Sequence, residues 1–239
     1  MPQILLMSIM LILLAAFNLA ADLFKFNGHT TAELTNWLPV LITPVVVTYA
    51  IWIVLYALLA VWIYRLYKKR HDQSQKLTMR SILFSISCLL TITWNWFFHF
   101  ELYFWTIIFQ FAQLLSIFAL YLTYGKLKSN WQDKLPISVF FSWSIMVCMF
   151  NVALALTYFE WSGWGISDPL WTVIFLTVAA AIALHFRYHY HDIAIVVIFV
   201  WTFLGIVLQN GIDELLVSAA SLFLCGVMIF GILFIKKEA

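Results

Sequence analysis

Long apolar runs follow one another along this chain, each broken by a short polar stretch. Eight can be marked, at 3–21, 41–64, 80–98, 102–124, 136–157, 169–186, 193–209 and 215–235. A helix needs ~20 apolar residues to cross ~30 Å of hydrocarbon, and each run comes close to that, the sixth and seventh being the shortest. The pattern predicts an all-α, polytopic membrane helix bundle of eight transmembrane helices. Polar and proline residues mark the ends. Pro39 and Pro44 are expected to open span two, and Pro136 to open span five near its first turn. Asp168-Pro169 reads as a cap followed by proline at the first helical position. Gln209-Asn210-Gly211 reads as a turn, with Asp213 free to cap span eight. Only a few residues around His99 and Glu101 join spans three and four, so these two must be antiparallel neighbours. The connection 22–39 is the longest on its side. Its Phe24, Phe26 and Trp37 are expected to fold back onto the bundle. No period of 20–50 residues recurs, which excludes a repeat array.

Charge then gives the bundle a direction. Every Lys and Arg except Lys25 falls on one side: Arg65, Lys68, Lys69, Arg70, Lys76, Arg80, Lys126, Lys128, Lys134, Arg187, Lys236 and Lys237. The opposite side carries Asp22, Glu33, Glu101, Glu160, Asp168, Asp213 and Glu214. Basic residues in short loops stay in the cytoplasm, so both termini are expected there. With 64% hydrophobic and 10% charged residues, the chain cannot cover a soluble globule. A net charge of +2 gives no reason to expect nucleic acid as a partner; the expected surroundings are the lipid bilayer. Residues 4–16 resemble a signal-peptide core with Ala20-Ala21 behind it, but no basic residue precedes them and the run is long enough to span. It is expected to be retained. Cys88, Cys148 and Cys225 all fall inside spans, which argues for packing over a disulfide framework or a zinc site.

Candidate chemistry lies on the polar faces of the spans. Amides and hydroxyls in a span face other helices or a cavity. Thr91, Trp94, Asn95 and Phe98 share one face of span three. Thr106, Gln110, Gln113 and Ser116 form a stripe on span four. Trp143 and Asn151 lie eight apart on span five, and Trp52 and Tyr56 one turn apart on span two. No ionisable group lies deep in these spans, and no mid-span Lys is present for a retinal Schiff base. Two readings stay open: glue between helices, or the lining of an uncharged aromatic cavity for a flat hydrophobic molecule. Trp37, Trp62, Trp131, Trp161, Trp164 and Trp171 are expected at the membrane interfaces, and Trp52, Trp94, Trp143, Trp105 and Trp201 deeper. His185 and His189 stand at the spacing for a shared metal, but an aromatic-rich helix end explains them too, and no metal site is assigned. Leu122-x-Tyr124-x-Lys126 fits a loose sterol-contact pattern that is too permissive to use. His99 and Glu101 either close a cavity mouth or form a solvated turn.

Three stretches resemble the tryptophan-rich sensory protein family, that of the bacterial sensory protein and the mitochondrial translocator protein. Thr43-Pro44, Trp52 and Tyr56 resemble its proline-opened Trp-x-x-x-Tyr helix. Leu90-Thr91-Ile92-Thr93-Trp94 resembles its Leu-Asn-x-x-Trp, with Thr91 in place of asparagine. Leu135-Pro136, Trp143 and Asn151 resemble its Pro…Trp-x7-Asn. The chain departs from the pattern after Pro44, where Val45, Val46 and Val47 follow. The resemblance implies a five-helix core over 1–157, with 158–239 as three further helices packed on it, as in longer bacterial relatives. It also implies a bacterial plasma-membrane location, a pocket of Trp52, Tyr56, Thr91, Trp94, Asn95, Gln110, Trp143 and Asn151, and a homodimer. No cofactor is required, though a bound porphyrin or haem, or a sterol-like molecule, is implied. A non-enzymatic binder, sensor or carrier is expected. The alternatives are a porphyrin-degrading membrane enzyme working through the indoles, and a scaffold that docks a partner through spans six to eight.

Overall fold

Without water, a segment buried in lipid must satisfy its own backbone N–H and C=O groups, and the apolar runs do so as helices. In the computed structural model, which describes residues 1–69, 74–125 and 131–235, eight helices are long and apolar enough to span a membrane. Arg70, Lys126, Lys128, Lys236 and Lys237 lie outside the described residues. The helices are α1 (Pro2–Leu23), a short α2 (Thr31–Thr35), α3 (Ile51–Lys68), α4 (Ser74–His99), α5 (Tyr103–Leu122), α6 (Trp131–Tyr158), α7 (Asp168–Tyr190), α8 (Ile193–Asn210) and α9 (Leu215–Phe234).

Several helix starts depart from the sequence expectation. Span two does not begin as an α-helix near Pro39 or Pro44. It enters through a 3₁₀ turn at Val46–Ala50, and α3 starts at Ile51. Pro44 disfavours helical backbone at Thr43, and the β-branched Val45, Val46 and Val47 add to the delay. The Val45 N–H donates instead to the Gly205 carbonyl of α8 at 3.0 Å. Pro136 does not open span five: α6 is already helical at Trp131, and the proline sits inside it. So close to the helix start its ring displaces few intrahelical bonds. Asp213 does not cap α9 either. Glu214 occupies that position, and no side chain bonds back to the helix.

Five helices close into a ring in the order α1, α4, α5, α6, α3 and back to α1. Only a few residues join α4 and α5, which form the expected antiparallel pair. The other three, α7, α8 and α9, pack on one another, and α8 carries them onto α6. Small residues permit this. Ala179, Ala180 and Ala183 of α7 are buried, and a Cβ on Gly231 of α9 would lie 2.4 Å from Leu184 Cδ2. Cys225 directs its Sγ at the Val200 carbonyl of α8. Ala181 differs, being exposed.

A set of ionic groups gathers at the end with the basic loops. Asp133 of α6 pairs with Arg65 of α3 and with Lys69, the residue that follows that helix. Asp192 accepts from the Ser138 hydroxyl at 2.6 Å and the Tyr121 hydroxyl at 3.0 Å, with Lys134 Nζ at 3.5 Å. Its other oxygen accepts from Ala194 N–H and caps α8. Arg80 donates to Thr123 and lies over the Tyr124 ring. Arg187 closes the carbonyl end of α9 through Ile232 and Ile235. These bonds tie the helix ends together at that end of the bundle.

Candidate functional site

Inside the ring lies a cavity of about 420 Å³. Its walls come from α1 (Ala15, Asn18, Leu19, Asp22), the 3₁₀ turn and α3 (Val46, Tyr49, Trp52, Ile53, Tyr56), α4 (Trp94, Asn95, Phe98) and α6 (Val147, Phe150), with α2 (Thr31, Ala32, Thr35) at its mouth. The size falls within the ~300–1,000 Å³ of small-molecule pockets.

Each wall residue is there for a local reason. The 3₁₀ entry places Tyr49 and Trp52 on the inward face. Trp52 meets Tyr56 at 5.7 Å between ring centroids and Trp143 at 6.4 Å, the latter edge-to-face. Tyr49 also meets Trp143 edge-to-face at 5.8 Å. On α4, Trp94 stacks on Phe98 at 5.4 Å. Its Nε1 donates to Asn151 Oδ1 at 3.1 Å, and Asn151 Nδ2 donates to the Val147 carbonyl of its own helix. A second chain crosses the ring: Asn95 Nδ2 donates to Asn18 Oδ1 at 2.7 Å, and Asn18 Nδ2 donates to the Tyr56 hydroxyl.

Beneath the main cavity is a void of about 10 Å³ bounded by Trp52, Thr91, Trp94, Gln110, Gln113, Phe140, Trp143, Ser144 and Val147. That is about room for one water. Trp143 Nε1 points to no partner among the described residues. Much of the hydrogen bonding around this void is already used within and between helices. Gln110 Nε2 donates to Gln113 Oε1 and the Ser144 carbonyl, Gln113 donates to the Ser144 hydroxyl, and the Thr91 hydroxyl donates to Ser87 of its own helix.

The eight residues expected at the pocket therefore separate. Trp52, Tyr56, Trp94 and Asn95 line the main cavity. Thr91, Gln110 and Trp143 reach only the small void. Asn151 lines neither and holds Trp94 in place. Asn18, Asp22, Tyr49 and the α2 residues were absent from the sequence-derived site. Asn18 carried a usable signal, an amide inside the apolar run of span one.

Several tryptophans sit elsewhere than expected. Trp62 is fully buried between helices and faces no lipid: Tyr124 accepts from its Nε1 and Phe84 meets it at 5.3 Å. Trp105 and Trp201 are 47% and 41% exposed, so neither joins the interior set. His99 does not belong to a solvated turn. It is fully buried, its Nδ1 lies 3.0 Å from the Asn95 carbonyl, and Phe26 covers it at 6.0 Å. The His185 and His189 rings lie 4.4 Å apart, tilted by 50°, on an exposed part of α7.

The loop over the mouth is held by its own polar chemistry. Phe26 packs on Phe17 and Trp96, and Asn27 donates to the His99 carbonyl. Thr30 and Glu33 form a capping box at the start of α2, and Lys25 pairs with Glu33 at 2.9 Å. The Thr30 N–H, with help from Lys25, holds the Glu33 carboxyl down at about 2.

A multi-pass membrane bundle with an aromatic hollow inside a five-helix ring is what the fold and cavity define. The chain belongs to the family described as TSPO-like protein, whose model matches residues 3–234. That match runs through all eight spans, beyond the stretch 1–157 that carries the motifs. No curated protein and no solved structure matched the chain.

Proposed function

We propose that this protein binds, senses or carries a planar hydrophobic ligand of tetrapyrrole or sterol type in the cavity between α1, α3, α4 and α6. The observation that carries this reading is the wall of that 420 Å³ space: two indoles, two phenols and two phenyl rings, from Trp52, Trp94, Tyr49, Tyr56, Phe98 and Phe150, with no basic side chain among them. Flat apolar molecules gain both burial and offset stacking on such walls. The small polar set of Asn18, Asn95 and Tyr56 would then orient the ligand. With the basic end in the cytoplasm, the mouth under α2 opens on the outer side of the membrane, beside the acyl chains.

Titration of the purified protein with protoporphyrin IX and with its dimethyl ester, followed by tryptophan fluorescence, tests the reading. Saturable quenching is expected that weakens in Trp52→Phe and Trp94→Phe. Quenching that is unchanged in both variants, or no saturable binding of either compound, would place the ligand elsewhere or remove it.

A further inference from the structure

The cavity is apolar along its walls but not at its outer end. There Asp22 and Asn18 of α1, Asn95 of α4, the Tyr56 hydroxyl and Thr31 and Thr35 of α2 come together. Asp22 Oδ1 accepts from the Thr31 backbone N–H at 2.8 Å, which fixes the carboxylate on the rim. Lys25, the basic residue closest in sequence, is engaged by Glu33. No Lys, Arg or His belongs to the lining. Asn95 is 3% exposed, and its Oδ1 has no partner among the described residues. The mouth of the cavity is thus faced by a fixed negative charge, with no cation in the lining beside it.

We propose that the site selects planar hydrophobic ligands whose polar end is uncharged or cationic and donates a hydrogen bond, and that it turns away ligands ending in carboxylates. This rests on the cavity being the ligand site, and adds the chemistry of the ligand's polar end. A ligand carboxylate at the mouth meets Asp22 with no cation between them, and like charges repel across a partly dry gap. Deeper in, it would lose hydration with no basic side chain in the lining to replace it. Asp22 lies on an exposed rim, where solvent and salt weaken the repulsion. The expected discrimination is therefore about tenfold in Kd, far below what a fully enclosed charge would give.

Protoporphyrin IX and its dimethyl ester share one ring and differ in two carboxylates, so they isolate this effect. Their Kd values are measured on the full chain in nanodiscs of zwitterionic lipid at low salt, with partition into empty nanodiscs subtracted. The ester is expected to bind about tenfold tighter than the acid. Asp22→Asn keeps an acceptor for the Thr31 N–H, and should bring the two to within about twofold by improving the acid. The proposal is overturned if the acid binds wild-type protein as tightly as the ester, or if the gap survives in Asp22→Asn. If neither compound binds above empty nanodiscs, the cavity reading itself fails and takes the proposal with it.

Discussion

Replacing Asn151 by Leu tests how the inner wall of the cavity is held. The Trp94 indole is 6% exposed, and its N–H has Asn151 Oδ1 as its acceptor at 3.1 Å. Asn151→Leu keeps the volume and removes the acceptor, leaving a buried donor unpaired. In water-soluble cores that costs about 1–3 kcal/mol. Between membrane helices, measured side-chain hydrogen bonds average nearer 0.6 kcal/mol and reach about 1.7. A loss of about 1–2 kcal/mol is therefore expected, which for a chain of this size lowers Tm by roughly 2–8 °C. Trp94→Phe removes the donor and supplies the control. If the bond matters, Asn151→Leu should cost much less in the Trp94→Phe background than alone, a coupling of about 0.5–1.5 kcal/mol. The assay is thermal unfolding of the four proteins in one detergent, read by far-ultraviolet circular dichroism. Strictly additive losses would show that the two side chains do not cooperate, and the fixed orientation of Trp94 would have to be abandoned.

Three further outcomes follow from other parts of the bundle. A Cβ at Gly205 would stand 2.1 Å from Thr48 Oγ1 and about 3 Å from Pro44 Cβ, so Gly205→Ala should cost about 1–3 kcal/mol by overpacking and weaken ligand binding by shifting Tyr49 and Trp52. Adding Thr48→Ala should recover most of the Tm, and a Tm equal to wild type in the single variant would contradict the close approach. Asp192→Leu strands Lys134, whose side chain is only 13% exposed, and should cost about 3–5 kcal/mol, with Lys134→Met in the same chain restoring most of it; equal melting of single and double variants would refute this. The Glu33 carboxyl is held at about 2 against an ordinary 4.5, so its contribution to the α2 cap is complete above about 4.5 and fades as the pH falls toward 2. Acidification through that window should speed ligand release in wild type but not in Glu33→Gln, as stopped-flow fluorescence would show.

The spans were legible because lipid leaves few alternatives for an apolar run, and the inward faces of spans three and four because Trp94, Asn95, Gln110 and Gln113 repeat at helical spacing. What could not be read depends on partners distant in sequence. Trp62 looked interfacial by depth, yet Tyr124 and Phe84 from other helices enclose it. His99 looked like a turn residue until Phe26, more than seventy positions earlier, folded over it. Gln110 and Thr91 carry the right chemistry on the right face, but Gln110 spends its amide on neighbouring α6 and Thr91 its hydroxyl on its own helix before a ligand could use them. Asn18 and Asp22 escaped notice because each stands alone near the end of span one. Only the approach of α2, α3 and α4 gives them partners.

The most direct test of the inward-facing aromatic wall is quenching by lipids brominated along their acyl chains, with each tryptophan assigned by its own Phe variant. Trp94 and Trp143, 6% and 2% exposed, should emit almost unquenched in such bilayers and be quenched on adding the porphyrin ester, whereas Trp105, 47% exposed, should be quenched by the lipid alone. Quenching of Trp94 and Trp143 by brominated chains to the same degree as Trp105 would mean that these rings face the membrane and enclose no ligand.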